Sequence, residues 1–188
     1  MIEISIVETS AARADALRPA WRPDLVPGVA TAVLLRAIAK GTAYQLVSVG
    51  VVGVDNTTPL FTAPVTAATG SYGVAAQYTA ETHTTDPGIV FVNAFDLPVA
   101  RIDEFIGHWH TRAGLMSRAP GFRDNRLHRA IDPDVRFPLI NIAHWDGEQA
   151  WHAAGANPEF QQRLSTAPGY AVAHPALYTV VAEFPAGR

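Results

Sequence analysis

No cysteine occurs in the 188-residue chain. Disulfides, thiolate metal sites and a cysteine nucleophile are therefore excluded, and the redox compartment has no marker. Lysine is scarce as well, with Lys40 alone against thirteen arginines. Charge of one sign never accumulates: the formal net charge is −3. That balance gives no phosphate-tracking surface and no polybasic patch, so neither nucleic acid nor a membrane is expected as a partner. Long apolar runs are missing, because residues such as Lys40, Gly41 and Asp55 interrupt each candidate for a membrane span. The opening MIEISIVETS holds Glu3 inside its apolar run and lacks a basic leader, which is unlike a secretory signal and implies a cytoplasmic protein. What the chain does have is apolar bulk. At 48% hydrophobic residues it can bury a sizeable core, as one domain or two small ones.

An internal repeat favours two. PGVATAVLLRAIAKG begins at Pro27 and PGFRDNRLHRAIDPD at Pro120, with Pro-Gly and Arg-Ala-Ile matching at a constant offset of 93 residues, and Leu46 falling opposite Leu139. In the second copy, IVFVNAFD at 89–96 is a strand ended by Pro98. From Val99 to about Ser117, Ile102, Phe105, Ile106, Trp109, Ala113 and Met116 form one helical stripe. RLHRAI and PLINIAHW follow as strands, GEQAWHAAGANPEFQQRL as a helix broken near Gly155 to Pro158, and ALYTVVAEF as a last strand. The order is βαββαβ, a ferredoxin-like unit.

The first copy reads as a degenerate version. IEISIVE is a strand, Ala11 to Trp21 a short helix, and 29–38 and 43–52 are strands. The Thr-, Gly- and Pro-rich DNTTPLFTAPVTAATGSYG should be a loop or at most a turn or two of helix, before VAAQYTAET completes the unit. The fold class expected is α+β: two ferredoxin-like halves, 1–86 and 87–188, joined near HTTDPG. Their bare sheet faces bury each other in an eight-stranded barrel within one chain.

VNAF on the first strand of the second half, Trp109, APGF at 119–122, NIAHWDGEQAW at 141–151 and NPEF at 157–160 carry a resemblance. Over roughly residues 88–185, the chain resembles the antibiotic biosynthesis monooxygenase family of the dimeric α+β barrel superfamily. Asn141 four residues before Trp145 is similar to the cofactor-independent oxygenases that convert anthrones to quinones. The resemblance implies Asn141 and Trp145 as site residues. It also implies a Tyr on the following helix, where this chain has Trp151, and an Arg further along, which falls at Leu164 or, shifted by one, Arg163. Haem-degrading relatives share an Asn at the position of Asn93, but their late-helix His is replaced here by EFQQRLS. Haem is therefore not expected.

Strand alternation gives a residue-level reading alongside. Leu139, Asn141, Ala143 and Trp145 share one face; Ile140, Ile142 and His144 share the other. With Phe91, Asn93 and Phe95 on the first strand and Trp109 above, an aromatic pocket with fixed amides is expected. Substrate-binding candidates are Phe91, Phe95, Trp109, Trp151 and Arg163; catalytic candidates are Asn141, Trp145, Asn93 and, as general base, His152 or His110. Plain structural roles compete: Asn141 capping backbone at a strand end, and the tryptophans as core. His144 is expected buried in the barrel, His128 solvated or interfacial, and His174 in a loop. His108 and His110 diverge by roughly 200° around a helix, so no metal site is expected.

The expected activity is a cofactor-free monooxygenase using molecular oxygen on a small aromatic polyketide. A polyketide cyclase and a non-catalytic binding protein are the alternatives. Opposite Asn141 and Trp145 the first half has Ser48 and Val52, so one working pocket per chain is expected. Two chains can still associate as a homodimer.

Overall fold

The computed structural model describes residues 1–53, 59–81 and 88–185. The expected joint at HTTDPG lies, up to Pro87, outside them. The described chain contains β1 (Ile2–Glu8), α1 (Ala11–Leu17), β2 (Thr31–Ala37), β3 (Tyr44–Val51), β4 (Ala67–Thr79), β5 (Ile89–Asp96), α2 (Ile102–Met116), β6 (Phe122–Ala130), β7 (Leu139–Trp145), α3 (Glu148–Gly155), α4 (Pro158–Ser165) and β8 (Val172–Phe184). Hydrogen bonding closes the strands into one barrel in the order β1-β3-β2-β8-β5-β7-β6-β4. This is the expected α+β fold of two ferredoxin-like repeats. Two compact units divide the chain: Met1–Gly73 with Ala130–Val135 and Tyr178 onward, and Val74–Arg129 with Arg136–Leu177. The long strands β4 and β8 belong in part to each.

In the first unit, β1 is a buried β-branched run paired with β3 on one side and β4 on the other. Ser10 caps α1 by accepting from the Arg13 amide at 3.3 Å. Short 3₁₀ turns at Arg18–Ala20 and Pro23–Leu25 follow, and the chain then lays Trp21, Leu60 and Phe61 into a core with Val7, Leu34 and Leu46. The Trp21 indole donates to Ser48 Oγ at 2.8 Å, and Ser5 Oγ lies 2.9 Å from Thr69 Oγ1. No helix replaces the missing second one among the described residues. However, β4 begins at Ala67, inside the stretch expected to be loop, because the ladder offered by Ile2–Val7 overrides its poor β propensity.

In the second unit, Asp103 and Glu104 occupy the first turn of α2, where they complement the helix dipole. Its stripe of Ile102, Phe105, Trp109 and Ala113 packs on Phe95, Leu127 and Leu139. The break between α3 and α4 is set by Asn157, whose side chain accepts from the amides of Glu159 and Phe160, and by Pro158 at the first helical position. Three histidine expectations are corrected. His128 is buried, with Nδ1 3.2 Å from the Ile140 carbonyl, and burial pushes its pKa down. His144 is half-exposed and its Nδ1 sits 2.9 Å from Asp124 Oδ1, a partner that sequence spacing could not show. His174 lies within β8, which starts earlier than expected, at Val172, and its ring meets Phe137 edge-on at 5.5 Å.

The repeat survives in the register. Ala32 pairs with Gly50 and Leu34 with Ser48; at the same offset, Asn125 pairs with Ala143 and Leu127 with Asn141. Both Pro-Gly turns put glycine in the left-handed region, with φ of 77° at Gly28 and 81° at Gly121.

Candidate active site

The face of β7 that carries Leu139, Asn141, Ala143 and Trp145 starts in core and ends in open space. Leu139 is fully buried under α2, whereas the next three positions line a cavity of about 510 Å³ within the second unit. Phe91 and Asn93 on β5 and Phe122 and Asn125 on β6 flank them. Trp109, Arg112 and Met116 of α2, Trp151 and His152 of α3, and Phe160 and Leu164 of α4 cover the space. Ala143, small and directly opposite both Phe91 and Asn125, leaves the gap between the amides and the indole unfilled.

Polar groups at this floor lack partners. Asn93 and Asn141 face each other across β5 and β7, and Asn125 sits one strand further, opposite Ala143. The Oδ1 atoms of all three and the Trp145 indole N–H are buried without a hydrogen bond. Each such group costs about 1–3 kcal/mol unless something completes it. An amide can present either its oxygen or its NH₂ to a ligand, so the cluster can accept and donate, and the indole can only donate. Neither amide on β5 and β7 is tied to backbone, and the capping role considered for Asn141 is not what the structure has.

The walls are aromatic. Phe91 and Trp151 stack at 5.3 Å with a 35° tilt, and Phe122 meets Trp145 edge-on at 5.3 Å. A planar ring system fits such surroundings. One fixed charge interrupts them: Arg112, whose guanidinium lies 5.6 Å from the centre of the Phe105 ring. Burial pushes its pKa down, with the Tyr170 hydroxyl opposing.

The structure brings Asn93, Asn141, Trp145, His152, Phe91, Phe95, Trp109 and Trp151 to one cavity. It does not bring His110 or Arg163, and both expectations are corrected. His110 follows the buried Trp109 on α2 and so points outward, its Nδ1 3.2 Å from the Tyr78 hydroxyl. Arg163 is on the exposed side of α4, paired with Glu159 at 3.3 Å. His152 is the histidine at the cavity, exposed at its rim and edge-on to Trp151 at 4.9 Å. Of the polar lining residues, Asn125, Gln161 and Arg112 escaped the sequence reading. Arg112 did leave a signal: it falls seven residues after Phe105 and four before Met116, a charge inside an apolar stripe. In the first unit the equivalent face is occupied. Ser48 and Ser5 are hydrogen-bonded, Ala32 replaces the third amide, and a methyl group at Gly50 would meet Leu60 Cδ1 at 3.0 Å.

Residues 88–163 match the family model described as antibiotic biosynthesis monooxygenase. No curated protein matches the sequence. Among solved structures, an anthrone oxidase-like protein superposes with a TM-score of 0.72 at 15% identity, covering 100% of this chain and 93% of that one. A ferredoxin fold protein related to antibiotic biosynthesis monooxygenases, from Listeria monocytogenes 4b F2365, gives 0.55 at 16% identity, with 97% and 95% covered. SnoaB, a cofactor-independent oxygenase from Streptomyces nogalater, gives 0.46 at 27% identity, over 53% of this chain and 99% of that one. At their identities the first two superpositions establish the fold. No helix among the described residues is long and apolar enough to cross a membrane.

Proposed function

We propose, from the match of residues 88–163 to the antibiotic biosynthesis monooxygenase family model, that this chain is a cofactor-independent monooxygenase. It oxidises an anthrone- or quinol-like aromatic polyketide to the quinone, with molecular oxygen as co-substrate. The observation that carries the reading is the set of four partnerless polar atoms, on Asn93, Asn125, Asn141 and Trp145, at an aromatic-walled cavity. An apolar floor would be more stable if packing were its only purpose.

The chemistry asks little of the protein. An anthrone that loses a proton from its acidic ring CH₂ becomes an enolate, and this carbanion can hand an electron to dioxygen. Radical recombination forms a C–O bond, and loss of water leaves the new carbonyl. Overall, CH₂ and O₂ become C=O and H₂O. His152 is the group at the rim whose ring nitrogen can take the proton. Amide N–H groups and the Trp145 indole donate to the oxygen on which charge develops. Removing one donor of this type costs about 10²–10³ in kcat.

Oxygen uptake by metal-stripped, colourless protein with a panel of anthrones and naphthols tests the proposal. Asn141→Ala and Trp145→Phe should each lower kcat about 10²-fold with the thermal midpoint little changed. Full activity in both variants would remove these groups from the mechanism. Product formation under strict anaerobiosis would replace oxygenation by ring closure, the cyclase alternative.

A further inference from the structure

Six arginines of the described chain are paired with carboxylates: Arg22, Arg36, Arg101, Arg123, Arg129 and Arg163. Arg112 is not, although it lines the cavity and is partly buried. Its contacts are the Phe105 ring and the field of the Tyr170 hydroxyl. No aspartate or glutamate is among the residues lining the cavity. A cation withdrawn from water without a counter-ion is costly, and a ligand anion would offset that cost.

We infer that Arg112 recognises a carboxylate on the ligand, so that the substrate is an aromatic acid rather than a neutral ring system. This rests on the reading of the cavity as a site for a planar aromatic. The guanidinium is the one permanently charged group among the lining residues, which matches a monoanion; a phosphate dianion would call for more positive charge than the cavity holds. The guanidinium lies over the Phe105 ring, and a planar carboxylate can accept two parallel N–H bonds from it. The acid then anchors on α2 while the oxygens of the reacting ring meet the amides of β5, β6 and β7. Arg112 is in this view a specificity determinant and takes no part in proton or electron transfer.

Anthraquinone-2-carboxylate and anthraquinone-2-carboxamide have nearly the same shape and differ in charge. Binding of each is measured by calorimetry with the wild type, Arg112→Met and Arg112→Lys. The wild type should prefer the carboxylate by about 10–100-fold, the range of a hydrogen-bonded ion pair. Arg112→Met, its fold verified by circular dichroism, should lose the preference for the carboxylate over the carboxamide; Arg112→Lys should restore part of it. Equal affinity of the wild type for the two ligands, or a preference that persists in Arg112→Met, overturns the role of Arg112 and leaves the aromatic cavity standing. Binding of neither ligand overturns both. Should Arg112→Met fail to fold, the wild-type ratio decides alone.

Discussion

A buried amide oxygen without a partner costs about 1–3 kcal/mol, and Asn93, Asn125 and Asn141 each carry one. On the proposed reading, a ligand that completes them offsets that cost. Asn125→Leu keeps the volume and removes the unmet polar group, so it should stabilise the fold by about 1 kcal/mol and raise the midpoint by about 2–4 °C. Turnover should fall at the same time. Calorimetry and oxygen uptake on one preparation check the pair of effects, and a lower midpoint would mean that the amide is satisfied after all. Asn93 and Asn141 were legible because β5 and β7 alternate cleanly. Asn125 was not. It lies three positions after Phe122, a spacing that sets two strand residues on opposite faces, yet both line the cavity because the register shifts between Phe122 and Asp124. His110 and His152 could not be ranked by spacing for a related reason: only the rotation of each helix about its axis decides which side chain reaches the cavity.

At the scale of elements, the Pro120-Gly121 turn holds α3 in place. Gly121 has φ of 81°, its carbonyl accepts from the Asp146 amide at 2.8 Å, and a Cβ there would stand 2.5 Å from Ala150 Cβ on α3. Gly121→Ala should therefore cost roughly 1–3 kcal/mol for the left-handed backbone, and it must also displace the helix that presents Trp151 and His152. A lower denaturation midpoint together with weaker anthraquinone binding is expected. Gly41→Ala, with nothing within 4 Å of the new methyl, serves as the neutral comparison. Unchanged binding in Gly121→Ala would show that α3 does not depend on this turn. Most elements were readable from periodicity, including the break at Pro158. The start of β4 was hidden, because a run of Ala, Thr and Gly becomes a strand only when β1 supplies the ladder. Pro175 concealed the start of β8 in the same way, reading as a stop inside what is a thirteen-residue strand.

For the whole molecule, β4 and β8 are thirteen-residue strands whose residues are divided between the two compact units. A fragment of residues 87–188 would keep every cavity-lining residue but lose β4 beside β6 and β2 beside the end of β8. Two open sheet edges on one small fragment favour pairing with another copy. Light scattering should give the mass of a dimer in which each copy lends the end of its β8 to the other's β6; a stable monomer would contradict the closure of the barrel as its source of stability. The pairing of two halves was visible in the 93-residue offset. That one half would be plugged was legible only in outline, from Ser48 and Val52. What fills it, Trp21 and Leu60 arriving from irregular segments, obeys no periodicity.

The Trp21 indole resting on Ser48 has a practical meaning for genetics. In an assembly of identical subunits every mutation is introduced twice, and damage to the scaffold cannot be separated from damage to the pocket. Here the supporting wall and the working wall are spelled by different codons, so each can be altered while its counterpart stays wild type.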